Sequence, residues 1–232
     1  MLMAYCPKCG KTVSGGAAFC PSCGSRLVDE SVVSPVSLVY LFGDLVASKP
    51  RLGGFQVPCT DKKVKHSEVA NTMFMAAFLS MSRDGIVDIS LAEKNSLFRK
   101  TIDAYVTLRD EASPMNLGDL EQKIYNKIKQ DKDKSLVYDV VRLIVEEASN
   151  PWVNFVNTIE KEIVELGLLK RVSRGLLRSD ELVFSCQEIE KYKEDALKIR
   201  SLLDEWRVKK PELCKKLWER IDSGFKANIE QD

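Results

Sequence analysis

The sequence predicts a mainly α protein with small β-hairpins of winged-helix-like form, preceded by a small metal-binding module. Three observations lead to this prediction. Four of the seven cysteines form two matched pairs near the N-terminus. Apolar residues in the rest of the chain recur at spacings of three and four, which indicates amphipathic helices. The order helix, glycine, strand occurs at residues 69–90 and again at 152–184, as it does in winged-helix units.

The composition is that of a globular protein and gives no global electrostatic preference. Of the 232 residues, 44% are hydrophobic and 30% are charged, and the formal net charge is +1. A charge this small does not steer a protein to nucleic acid or to an anionic membrane, so any basic surface must be local. The N-terminus has no basic start followed by an apolar run, and the cysteine count is odd. We therefore predict a cytoplasmic protein with reduced thiols.

The N-terminal cysteines have the spacing of a four-thiolate metal site. Cys6 and Cys9 form one Cys-x-x-Cys unit, and Cys20 and Cys23 form another, each followed by glycine. Two intervening residues let a tight turn direct both thiolates at one ion, and two such turns complete a tetrahedral site. Because a segment this short cannot build a core, the bound metal must supply its stability. We predict one structural ion with no open coordination position.

Zinc is the predicted ion, and rubredoxin-type iron is the alternative. Redox Cys-x-x-Cys motifs occur singly and usually open a helix, and neither condition holds here. Two disulfides are not expected in a reducing cytoplasm. Residues Tyr5–Leu27 resemble the short zinc-ribbon modules found at the N-termini of many prokaryotic proteins. The resemblance implies metal binding and leaves the function of the chain open.

The chain is predicted to divide into a ribbon, a short linker and one larger helical domain. The linker is polar and contains a proline, which is typical of a connection between folded units. The predicted ranges are residues 1–28 for the ribbon, 29–36 for the linker and 37–232 for the helical domain.

The first helix–glycine–strand copy lies early in the helical domain. Apolar spacing indicates a helix from Ser67 to the turn Arg83–Gly85, and alternation indicates a strand over Ile86–Ser90. Residues 91–110 fit either a helix or a strand, because a capping-box pattern and a strand-like alternation both occur there. We favour a wing-like strand near residues 104–109.

The second half of the domain is predicted to combine helices with one hairpin. Asn150 and Pro151 fit the N-cap and the first position of a helix that Gly167 ends. The other predicted elements are helices over residues 117–128, 136–144, 189–206 and from Pro211 onward, and a hairpin of Leu168–Val172 with Glu181–Phe184.

The order of these elements is similar to that of the Golgi phosphoprotein 3 family. The segment VSLVYLFGDL stands where that family has its leading leucine-rich helix, and AAFLSMSRDGIVDI resembles its helix running into a glycine-led strand. PWVNFVNTIEKEIVELGLLKR resembles a later helix that ends in a leucine–glycine–leucine strand start. The resemblance spans much of residues 36–207 and implies tandem winged helices and phosphoinositide binding at membranes. The family's tryptophan-and-arginine membrane-binding stretch has no counterpart here, so no binding residue is carried over.

The strongest local basic cluster lies on the predicted hairpin. Its residues are Lys170, Arg171, Arg174 and Arg178. Cations on the wing of a winged helix contact phosphate groups of nucleic acid, and the same cluster could meet lipid phosphates. A solvated hairpin with ordinary surface charges is the competing interpretation.

The remaining candidate residues are predicted to be structural. Cys59, Cys186 and Cys214 lack metal-ligand spacing and are expected to be isolated packing thiols. The basic and aromatic residues between Trp206 and Trp218 are expected to combine aromatic packing with exposed lysines.

The sequence favours a non-catalytic binding protein. It contains one histidine and lacks a serine nucleophile elbow, a phosphate-binding glycine loop and a dinucleotide fingerprint, so we predict no enzyme activity and no small-molecule substrate. The leading hypothesis is a zinc-binding adaptor or regulatory protein that binds nucleic acid or a protein partner through the ribbon and the basic hairpin. The alternatives are a peripheral membrane protein that binds anionic lipid head groups and a purely structural or oligomerising protein.

Overall fold

The structure of the chain, a computed structural model, divides into two compact units, Met1–Val32 and Val33–Asp232. It describes residues 4–5, 9, 11–13, 22–23, 33–96, 99–109, 117–132, 134–172 and 181–230. The first unit contains the short strands β1 (Ala4–Tyr5) and β2 (Thr12–Val13).

The larger unit is mainly helical with small antiparallel sheets, as the sequence predicts. Its helices are α1 (Pro35–Leu41), α2 (His66–Arg83), α3 (Asp119–Gln130), α4 (Val137–Ile144), α5 (Pro151–Glu165), α6 (Cys186–Glu190), α7 (Lys193–Lys209) and α8 (Pro211–Lys226). Its strands are β3 (Phe55–Gln56), β4 (Lys63–Val64), β5 (Val87–Ser96), β6 (Arg99–Leu108), β7 (Lys134–Leu136), β8 (Leu169–Val172) and β9 (Glu181–Phe184).

Helix α2 forms the centre of the core. Every residue from Val69 to Met81 is buried, because α1, α5 and α8 all pack against this helix. The ring of Phe74 stacks on Phe155 of α5 at a centroid distance of 5.0 Å and meets Phe225 of α8 edge-on at 5.6 Å. Among the helices within the described ranges, none is both long and apolar enough to cross a membrane.

Two helices end in the same glycine turn and lead directly into strands. Gly85 follows α2 with a φ of 74°, and Gly167 follows α5 with a φ of 73°. In each turn the next N–H donates to the carbonyl five residues back, at 2.9 Å after α2 and 3.1 Å after α5. This is the Schellman arrangement, and its left-handed position strains any residue with a Cβ. The repeated helix–glycine–strand order is therefore confirmed.

Residues 91–96 and 99–108 belong to two paired strands, so a helix at this position is wrong. Strands β5 and β6 pair antiparallel along their full length, with Val87 opposite Leu108 and Ser96 opposite Arg99. Strand β7 adds to β6 as the third strand of the sheet. The favoured strand exists but begins earlier than residue 104. Strand pairing satisfies the backbone groups that a local capping box would otherwise engage, so the long-range contact prevails.

Other predicted boundaries agree with the structure or shift by a few residues. Asn150 caps α5, with its Oδ1 accepting a hydrogen bond from the backbone N–H of Val153 at 3.1 Å, and Pro211 opens α8, both as predicted. Helix α1 begins at Pro35, within the range assigned to the linker. The single helix predicted over residues 189–206 is instead α6 followed by α7.

Cys59 and Cys186 form a disulfide, so the prediction that they are isolated packing thiols is wrong. Their Cα atoms are 5.5 Å apart and 127 residues separate them in sequence. Cys59 lies between β3 and β4, and Cys186 is the first residue of α6. The expectation of reduced thiols is wrong for this pair. Cys214 is buried in α8, as expected of a packing residue, and burial raises the pKa of its thiol.

A buried ion pair joins the central sheet to the last helix. Asp103 of β6 has a side chain only 4% exposed, and Arg220 of α8 donates to its Oδ1. The same oxygen also accepts the backbone N–H of Ala104 at 2.9 Å. Because a buried carboxylate needs such partners, this contact fixes where α8 lies on β6.

Candidate metal centre and basic hairpin

The first cysteine pair lies in a two-stranded hairpin. Strands β1 and β2 pair antiparallel, with Tyr5 opposite Thr12, so the connection between them carries Cys6 and Cys9. Cys9 lies in a turn and is exposed. A hairpin that closes around a Cys-x-x-Cys unit is the backbone arrangement that brings both thiolates to one ion.

The second cysteine pair is described in part. Cys23 lies in an exposed turn with Ser22. Cys6 and Cys20 lie outside the described residues. Within the described ranges, no three or more His, Cys, Asp or Glu side chains group as a set of metal ligands. The four N-terminal cysteines remain the candidate ligands, since thiolates are the donors that tetrahedral zinc prefers.

The basic hairpin is confirmed as a pair of strands with an anchored base. Strands β8 and β9 pair antiparallel, with Leu169 opposite Phe184. Leu168 and Leu169 are buried, and the backbone N–H of Ser185 donates to the carbonyl of Leu168 at 2.9 Å. The disulfide adds a covalent link at the same end, because Cys186 directly follows Ser185. The base of the hairpin is thus held by apolar burial, a hydrogen bond and a covalent bond.

The structure describes some of the predicted phosphate-binding residues of this hairpin. Lys170 is exposed on β8 and stands opposite Val183. The backbone of Arg171 belongs to β8 and pairs with that of Leu182. The side chain of Arg171, together with Arg174 and Arg178, lies outside the described residues. The structure therefore places the two strand residues next to each other at the anchored end.

Three lysines outside the basic hairpin have local partners. Lys62 pairs with Asp44 at 2.6 Å, and Lys65 pairs with Glu68 at 2.7 Å. The Nζ of Lys210 lies 4.3 Å from the ring centroid of Trp206, which packs against the core. These contacts confirm that the C-terminal lysines and tryptophans combine core packing with surface charge.

The buried glutamate Glu121, near the half-buried Glu162, is the feature that sequence reasoning missed. Glu121 of α3 is only 2% exposed, and neither of its carboxylate oxygens has a hydrogen-bond partner among the residues that the structure describes. Burial raises the pKa of Glu121 to about 7, and the negative charges of Glu162 and Asp119 act in the same direction. An acidic residue in the first turn of a helix is ordinary, so the sequence carries no signal that this one is buried.

The comparisons with known proteins identify one domain. A family model described as a zinc-ribbon domain matches residues 5–27, a range that contains all four N-terminal cysteines. The chain therefore carries an N-terminal zinc-ribbon domain. The presence of this domain indicates that the chain binds zinc. No curated protein and no solved structure matches the chain. The resemblance to the Golgi phosphoprotein 3 family and to winged helices receives no support from these comparisons or from the described topology.

Replacing Cys9 and Cys23 by serine is expected to abolish metal binding. Each substitution removes one thiolate from one of the two pairs, and a tetrahedral site does not survive the loss of two ligands. We expect about one zinc per chain in the wild type and none in the double variant, measured by elemental mass spectrometry. Cys214→Ser is the matched control and should keep its zinc. Iron with visible colour, or zinc retained in the double variant, would contradict the prediction.

Proposed function

We propose that this chain is a non-catalytic adaptor or regulatory protein that carries one structural zinc ion and binds nucleic acid or a protein partner. The zinc ribbon and the basic hairpin are the contact surfaces in this proposal. The predicted cytoplasmic location belongs to the same proposal and requires that the Cys59–Cys186 disulfide persist in a reducing compartment. The observation that carries it is the hairpin, whose base is anchored while Lys170 is exposed.

The anchored base makes the basic cluster suitable for contacting phosphates or acidic side chains. Hydrogen bonding and a disulfide fix the strands, so fewer backbone conformations are lost when a partner binds. Lysine and arginine on such a hairpin give charge-assisted contacts to phosphate oxygens or carboxylates. The small net charge of +1 means that affinity must come from this local cluster rather than from the whole chain.

Reversing the charge of Lys170, Arg171, Arg174 and Arg178 to glutamate tests the proposal. We expect the wild type to shift the anisotropy of labelled duplex DNA or single-stranded RNA, and the variant to lose that binding. About four phosphate contacts predict an affinity that falls roughly a hundredfold between about 50 mM and about 200 mM salt. If the wild type binds neither nucleic acid, the wild type and the same variant are compared in capture experiments with acidic proteins.

The control reverses four exposed cations elsewhere and changes the net charge equally. Lys49, Arg51, Lys63 and Lys215 are exposed and lie outside the hairpin. This control should bind as the wild type does. Pelleting with vesicles of anionic lipid tests the alternative of head-group binding in parallel. If the hairpin variant keeps every interaction that the wild type shows, the hairpin is not the contact surface.

A further inference from the structure

The N-terminus of α1 meets α5 through two serines and one glutamate. The hydroxyls of Ser34 and Ser37 both donate to Oε1 of Glu162, each at 2.6 Å. Ser34 also caps α1, because its Oγ accepts the backbone N–H of Ser37 at 3.0 Å. A hydroxyl has one proton and two lone pairs, so these hydroxyls still have lone pairs that can bind a cation. The remaining carboxylate oxygen of Glu162, Oε2, is buried and has no hydrogen-bond partner.

Glu121 brings a second carboxylate to the same place from α3. A Cβ placed on Gly118 would lie 2.7 Å from Oε2 of Glu121 and 3.3 Å from Oγ of Ser34. These two oxygens therefore approach one point that the absence of a side chain on Gly118 leaves open. Both oxygens of Glu121 are buried without a partner, although this side chain is only 2% exposed. The carboxylate of Glu121 therefore lies on the same side of Gly118 as the Ser34 side chain.

The charges around this carboxylate do not compensate it. Among the residues that the structure describes, the charges that act on Glu121 are those of Glu162 and Asp119, and both are negative; the backbone N–H of Glu121 itself acts in the opposite direction. An uncompensated buried carboxylate costs several kilocalories per mole unless a cation or a proton neutralises it. One proton shared between two carboxylates satisfies one pair of oxygens, whereas three carboxylate oxygens are unpartnered here.

We propose that Glu121 and Glu162, hereafter the acidic pair, form with the two serine hydroxyls a binding site for a hard divalent cation. The donors are all oxygen atoms, the ligand type of Ca²⁺, Mg²⁺ and Mn²⁺. The acidic pair supplies charge to match the ion, and hydroxyl, backbone or water oxygens complete its coordination. The ion ties together α1, α3 and α5, directly after the residues that connect to the ribbon. This site is separate from the cysteine centre and differs from it in ligand chemistry.

The test titrates calcium, magnesium and manganese chloride separately into the full zinc-loaded chain at pH 8, without a chelator. This pH lies above the pKa of about 7 of Glu121, so competition between protons and the metal for this carboxylate is weak. For at least one cation we expect saturable binding of one ion per chain. At a hundredfold excess over Kd the folding equilibrium constant should rise about a hundredfold. Manganese binding is read directly from the loss of the free-ion electron paramagnetic resonance signal.

Three glutamate variants separate this site from non-specific effects. Glu121→Gln and Glu162→Gln should lose the bound ion and the stabilisation. Glu165→Gln is the matched control, since Glu165 is exposed on the same helix as Glu162, and it should respond as the wild type does. Glu121→Gln removes an uncompensated charge, so we expect it to fold.

The proposal is overturned by any of three results. One is the absence of saturable binding for all three cations. Another is a Glu121→Gln variant that binds and is stabilised like the wild type. The third is a free energy of unfolding that varies with pH but does not change with any of the three cations. That result would mean that the two carboxylates share a proton instead of binding a metal ion.

Discussion

Replacing Cys59 and Cys186 by serine is expected to lower the free energy of unfolding by about 4 kcal/mol. The disulfide closes a loop with a sequence separation of 127 residues, and closing so long a loop removes much of the conformational freedom of the unfolded chain. Urea unfolding of the wild type and the double variant measures the difference, in a buffer that contains neither an oxidant nor a reductant.

Dithiothreitol supplies the internal control for this experiment. It should lower the stability of the wild type to that of the double variant and should leave the double variant unchanged. A wild type whose Cys59 and Cys186 both react with a thiol-labelling reagent before reduction would show that the bond does not form. Equal stability of wild type and variant would show that the bond does not stabilise the fold.

Glu121→Gln is expected to stabilise the chain at pH 8 by up to about 3 kcal/mol. Burial raises the pKa of Glu121 from its ordinary value of 4.5 to about 7. The folded state therefore holds its proton more tightly than the unfolded state, and stability is greatest below pH 4.5. It is lost as the pH rises through 7, and the difference between the two pKa values sets the size of the loss. The glutamine has no charge to bury, so the variant escapes this loss.

The measurement is urea unfolding of both proteins from pH 4 to pH 8, in buffer free of calcium, magnesium and manganese. The two proteins should be similarly stable at pH 4 and should diverge above pH 5. Glu165→Gln serves as the control and should follow the wild type. If the free energies of unfolding of the wild type and Glu121→Gln run parallel over the whole pH range, ionisation of Glu121 does not destabilise the folded chain.

Local features of the fold could be predicted because they depend on short-range physics. The N-cap Asn150, the stop at Gly167 and the start at Pro211 each depend on the backbone preferences of one or two residues. The hairpin β8–β9 was predictable from two short segments on either side of the turn sequence SRGLLRSD. The cysteine spacing likewise identified the ribbon, because a metal knuckle needs only two residues between its ligands.

At two places the structure differs from what a local pattern in the sequence indicates. A capping-box pattern stood at the start of residues 91–96, yet pairing of β5 with β6 decided their structure, since a strand gains its hydrogen bonds from another segment. The helix predicted over residues 189–206 divides into α6 and α7. The pairing of β5 with β6 is a contact between separate segments, which a local pattern does not reveal.

The sequence by itself determined a zinc ribbon, a mainly helical second unit and the places where most of its helices begin and end. Only the tertiary structure joined Cys59 to Cys186, and only it buried Glu121 beside the serines that hold Glu162. The physical reason is that capping, turn formation and metal spacing act over a few residues. Burial and cross-linking depend instead on which helices pack together, and that choice is made by the whole core at once.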